Sequence, residues 1–157
     1  ALLAHESVAP AGLGARDSLR LEAGLCLHGQ DIDEDTTPAE AQLGWSIPKR
    51  RRESADFPGA ETVVKQLAEG PARKLVAIRP EGRAPARAGV EIELDGETVG
   101  RVTSGGFGPT VGAPVSLGYV AARRAAIGAL VALKVRGKAL PAEIVESPFI
   151  PHRYKRA

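Results

Sequence analysis

The change of pattern at Gly70 constrains this chain more than any other feature. Before it, apolar residues recur at helical spacing; after it, they alternate. Lys74–Arg79, Val90–Leu94, Thr98–Thr103, Pro114–Val120, Leu130–Val135 and Ala139–Glu146 read as strands. Asp95-Gly96 and Gly137-Lys138 supply tight turns, which join neighbouring strands antiparallel. Six short antiparallel strands predict a small closed barrel or roll, so the chain as a whole reads as α+β. Ser104-Gly105-Gly106-Phe107-Gly108-Pro109 is expected to form a tight loop between strands. It lacks the G-K-S/T ending of a phosphate-binding loop and opens no helix.

The helical half is organised around Ala11–Gly29. A helix is expected over Ala15–Ala23, stopped by Gly24 in a left-handed cap. It carries Arg16, Asp17, Arg20 and Glu22 among leucines. Charges placed beside an apolar face must pair with one another or be offered to a ligand. Leu25–Gly29 reads as a short strand or turn. Asp31, Asp33, Glu34 and Asp35 crowd the next segment, but Thr36 and Gln42 stand where a calcium loop needs glycine and glutamate, so a solvated loop is expected. Thr37-Pro38-Ala39-Glu40 has the form of a capping box opening a short helix. Trp45-Ser46-Ile47 reads as a strand, with Trp45 either filling core or offering a flat wall to a planar ligand. Lys49–Arg52 is a run of four cations, read as a solvated face or docking patch. A last helix opens at Asp56–Glu61, buries Val63, Val64 and Leu67, and ends at Gly70-Pro71.

Composition removes several classes of function. The net charge of +2 gives no field for nucleic acid. One cysteine, Cys26, excludes an internal disulfide. No apolar run approaches the roughly 20 residues of a membrane helix. His5, His28, His152 and Cys26 have no metal spacing, and no serine sits in a nucleophile elbow. The chain contains no methionine and opens on ALLA like the last turn of a helix, which suggests a fragment. The tail from Ser147 is expected either to fray or to fold back, so that its tyrosine, Tyr154, lines a site.

In order along the chain, ARDSLRLEAGLCL, DIDEDTTPAEAQLGW, KRRRESADFPGAE, GRVTSGGFGPTVGAPVSLGYV and VRGKALPAEIVESPFIPHRY resemble the C-terminal part of the glycine cleavage T-protein family. The resemblance covers essentially the whole chain. It implies an aminomethyltransferase that takes the aminomethyl group from the lipoyl arm of the H-protein. The carbon would pass to tetrahydrofolate as ammonia is released. Residues 1–68 would be the end of a folate-binding α+β module, and residues 69–157 a C-terminal β-barrel domain.

The same resemblance assigns ligand contacts to Arg16, Trp45 and Tyr154. An arginine suits a folate carboxylate, an indole suits aromatic rings, and a phenol has both an apolar body and a polar tip. The family's catalytic aspartate and its pterin-gripping glutamate have no equivalent among these residues. Asp17 does not take the aspartate's place, so the chain alone is expected to be inactive. His28 and Gln30 depart from the family pattern outside these contacts. Implied partners are tetrahydrofolate and the H-protein, with no metal, nucleic acid or membrane. The implied compartment is the bacterial cytoplasm, or the mitochondrial matrix in a eukaryote. Related alternatives are a folate-dependent demethylase, the folate domain of a methylglycine oxidase, or a non-catalytic binding module.

Overall fold

In the computed structural model, which describes residues 2–153, the alternating half of the chain closes into a barrel. Its strands are β1 (Arg73–Pro80), β2 (Glu91–Leu94), β3 (Glu97–Gly108), β4 (Ala113–Ala121), β5 (Leu130–Val135) and β6 (Lys138–Val145). They run in the order β1-β4-β3-β2-β5-β6, all neighbours antiparallel, and β6 returns to pair with β1. Closure gives every strand of the barrel a hydrogen-bonded neighbour on each side. Asp95 and Gly96 both have positive φ, as the tight hairpin requires. The second such turn is Arg136-Gly137, one residue earlier than expected, and Lys138 already belongs to β6.

Alternation fills the barrel from its inner faces. Val76, Ile78, Ile92, Val102, Leu133 and Ile144 lie in one interior cluster. The opposite faces of β1 and β4 are also apolar. Leu75, Ala77, Val115, Leu117 and Tyr119 form a second cluster outside the barrel, completed by Leu21. Every residue from Pro114 to Val120 is therefore buried.

The glycine-rich stretch is a correction. It is no loop: β3 runs through Gly108 and pairs Gly105, Gly106, Phe107 and Gly108 with Ser116, Val115, Pro114 and Ala113 after a bulge near Thr103. Glycine is poor strand material, but close packing demands it here. A Cβ on Gly105 would fall 1.7 Å from the Ala86 carbonyl oxygen, so the Ala86 segment could not lie against the strand.

The helical half contains α1 (Leu13–Glu22), α2 (Lys49–Ser54) and α3 (Ala60–Glu69). α1 ends as expected. Gly24 takes φ 66°, and the amides of Gly24 and Leu25 donate to the carbonyls of Leu21 and Arg20. The helix expected after Thr37 does not propagate. The reciprocal capping bonds between Thr37 and Glu40 form, at 3.1 and 3.2 Å. The chain makes a single turn and then reverses at Gln42, φ 60°. The barrel holds this turn: Glu40 accepts from Arg73 at 3.0 Å, and its carbonyl accepts from the Leu75 amide at 2.8 Å. Trp45-Ser46-Ile47 is not a strand either. Gly44–Ser46 is a 3-10 turn, whose flanking carbonyls of Gly44 and Ile47 accept from Arg52 rather than from a neighbouring strand.

A buried polar network seats α1 on the barrel. Arg20, 9% exposed, donates to Asp17 at 2.8 Å, to Asp31 at 2.5 Å and to Ser104 at 2.9 Å. Asp31, expected in a solvated loop, is 2% exposed. Its other donors are the Leu27 amide at 2.9 Å and the Thr103 hydroxyl at 2.5 Å. Asp33, Glu34 and Asp35 remain exposed, as expected.

Four substitutions test this architecture by chemical denaturation. Leu133→Ala, at a fully buried interior position, should cost about 2–5 kcal/mol. Gly105→Ala should be strongly destabilising, whereas Gly106→Ala, whose Cβ would meet Leu21 at an ordinary 3.5 Å, should change stability by less than about 0.5 kcal/mol. Arg20→Ala strands the buried Asp31 carboxylate and should cost about 3–5 kcal/mol.

Candidate ligand site

α1 presents two different faces. Its C-terminal turn, with Arg20, Leu21 and Glu22, is buried. Its N-terminal half is open: Arg16 is exposed, Leu13 is 82% exposed and Leu19 is 56% exposed. A groove of about 610 Å³ runs along this half, walled by Leu13, Ala15, Leu19 and Leu25, with Arg16 and Arg20 as its charged members. Arg20 is already committed to Asp31. Arg16 is left as the groove's cation for an outside anion. The arrangement suits a molecule with an apolar body and an anionic end.

Of the other expected contacts, Trp45 lies on the Gly44–Ser46 turn, 74% exposed, and does not line the groove. It is not core filler. Tyr154 lies outside the described residues. The chain leading towards it does fold back: the amides of Phe149 and Ile150 donate to the Glu22 carbonyl at 3.0 and 3.3 Å, and His152 donates to the Ala23 carbonyl at 3.0 Å.

Glu22 breaks the expectation that the acids of α1 pair with arginines. Fully buried, it turns away from the cations. One carboxyl oxygen accepts from the amides of Thr110 and Val111 at 2.6 and 2.9 Å. The other has no hydrogen-bond partner among the described residues.

The four cations of Lys49–Arg52 also separate into roles. Arg51 pairs with Asp56 at 2.6 Å, and Arg52 holds the carbonyls of Gly44 and Ile47. Lys49, 89% exposed, lies 3.6 Å from Glu53, too loosely held to count as fixed. Lys49 and Arg50 are left exposed.

Among the described residues no nucleophile is prepared nearby. Burial, and then the Asp31 charge, push the Cys26 thiol above its ordinary pKa. Burial also pushes the Tyr119 phenol far up, with the Arg73 guanidinium stacked 4.6 Å from its ring. Both groups stay protonated at neutral pH and act as packing. Among the described residues no three His, Cys, Asp or Glu side chains are grouped to hold a metal. None of their helices is long and apolar enough to cross a membrane.

Sequence reasoning missed Asp31 and Glu22 because their partners are remote. Thr103 lies 72 positions from Asp31, and Thr110 lies 88 from Glu22. A carboxylate beside apolar neighbours gave no local sign of either contact.

Comparison with known proteins bears on the fold and the family. Residues 73–151 match the model of the glycine cleavage T-protein C-terminal barrel domain, and residues 3–51 match that of the GCVT N-terminal domain. The chain is 47% identical over 155 residues to a probable mitochondrial aminomethyltransferase of Schizosaccharomyces pombe, covering 98% of this chain and 40% of that protein. An aminomethyltransferase of Nostoc is 47% identical over 142 residues, covering 90% of this chain and 37% of its own. The crystal structure of the glycine cleavage system aminomethyltransferase T from Bartonella henselae superposes with a TM-score of 0.88 at 47% identity, covering 93% of this chain and 41% of that one. The chain thus spans about 40% of the length of the curated relatives it matches. Barrel, preceding helices and sequence agree along nearly the whole chain, which belongs to the glycine cleavage T-protein family.

Proposed function

We propose that the chain supplies one wall of the folate site of an aminomethyltransferase. That enzyme moves the one-carbon unit of an aminomethyl-lipoyl H-protein to tetrahydrofolate and releases ammonia. The observation that carries this reading is Arg16, an exposed cation on a largely apolar groove whose other cation, Arg20, is already paired with Asp31. Tetrahydrofolate has the matching form, a ring system that favours apolar contact and a glutamate tail with carboxylates. Arg16 would bind a tail carboxylate through two parallel hydrogen bonds. Trp45 would offer its exposed indole to the rings, and Tyr154 would close the site from the C-terminal segment. All three roles orient the folate, and none moves a proton or forms a bond. No residue of this chain is assigned to the chemical step.

The H-protein is the proposed macromolecular partner, approached through Lys49 and Arg50. The compartment that follows is the bacterial cytoplasm, or the mitochondrial matrix if the source is eukaryotic.

Two measurements test the reading. Arg16→Ala should weaken folate binding about ten- to a hundredfold, since a hydrogen bond to a charged group contributes roughly 1.5–3 kcal/mol. Calorimetric titration showing unchanged affinity would remove Arg16 from the site. Reversing Lys49 and Arg50 to glutamate should weaken H-protein binding and flatten its dependence on salt. Association that ignores both changes places docking elsewhere.

A further inference from the structure

The end of α1 is a joint between two segments far apart in sequence. Through its side chain Glu22 holds the turn between β3 and β4, accepting from the amides of Thr110 and Val111. Through its carbonyl it holds the C-terminal segment, accepting from Phe149 and Ile150. Both contacts are built for close approach. A Cβ on Gly108 would lie 2.9 Å from the bonded carboxyl oxygen, and a Cβ on Gly24 would lie 2.2 Å from the Ser147 hydroxyl. The two segments also share one apolar seat, because Val111 and Phe149 pack against the same cluster as Leu21.

The carboxyl is a costly local cap. It is fully buried, and its second oxygen has no hydrogen-bond partner among the described residues. A buried acceptor without a donor destabilises the fold around it. Its value lies in registration. α1 carries Arg16, and the segment from Phe149 leads towards Tyr154.

We propose that Glu22 is a positioning residue for the ligand site: its carboxyl fixes the turn at Thr110 and Val111, and with it the seat of Phe149, so that the C-terminal segment stays in register with the helix bearing Arg16. The inference rests on the folate reading above and reaches beyond it to a residue that touches no ligand.

The test uses the 157-residue chain, with amide exchange followed by NMR and affinity for folinate, a stable reduced folate, measured in parallel. Glu22→Ala and Glu22→Asp remove or shorten the carboxyl, and Glu22→Gln keeps an oxygen able to accept both amides. In the first two variants exchange should quicken about tenfold or more at Thr110 and Val111, and equally at Phe149 and Ile150, which the carboxyl does not touch. Folinate affinity should fall with it, and Glu22→Gln should recover most of both. Where the alanine variant fails to fold, the aspartate variant is read.

Quickening confined to Thr110 and Val111 would make Glu22 a local cap and overturn the inference. So would spread exchange with unchanged affinity. The folate reading itself stands or falls on Arg16→Ala in the parent enzyme. If the unsubstituted chain binds no folinate, one wall does not hold the ligand by itself, and the exchange pattern alone decides whether Glu22 registers the C-terminal segment.

Discussion

The burial of the Arg20 guanidinium sets the terms for the rest of the molecule. A cation 9% exposed must be answered on every side. Asp17 from its own helix, Asp31 from the following loop and Ser104 from β3 provide that answer. Each partner comes from a different structural layer. The network therefore fixes the helix, the loop and the barrel wall with respect to one another. It also frees Arg16, one turn earlier on α1, from structural duty. The helix settles its own electrostatics at one end and leaves a charge exposed at the other.

The barrel half was legible because its physics is local. Alternation places Val76 and Ile78 inside and Leu75 and Ala77 outside, and the Asp95-Gly96 turn sets a register that leaves little choice. Where the reading failed, packing at a distance overruled local preference. Gly105 and Gly108 look like loop residues until Ala86 and Glu22 are seen pressed against them. The capping box at Thr37 forms its hydrogen bonds and still opens no helix, because Glu40 is shared with Arg73 and Leu75 of the barrel. Trp45 sits where a strand would need a partner, and none is present among the described residues.

The site is legible in a different way. Nothing in spacing separates Arg16 from Arg20, since both are arginines on one short helix. Their fates diverge because Arg20 faces β3 while Arg16 faces the open groove. The family resemblance selected Arg16, whose side chain is exposed. The cations of α2 give the opposite lesson. Four in a row look like one patch, yet Arg51 and Arg52 are absorbed by their own surroundings.

The doubly buried β4 strand bears on what counts as a unit in this chain. A closed barrel ordinarily needs nothing on its outer wall. Here Leu75, Val115, Leu117 and Tyr119 stand on that outer wall and are dry only because Leu21 and its neighbours cover them. The change of pattern at Gly70 marks where one kind of backbone gives way to another, and the packed apolar cluster crosses it. Severed at that point, the barrel would carry a greasy flank into water, a surface of the kind that drives self-association. An evolutionary exchange of barrels between relatives would have to carry the covering helix along, or rewrite both sides of the contact together.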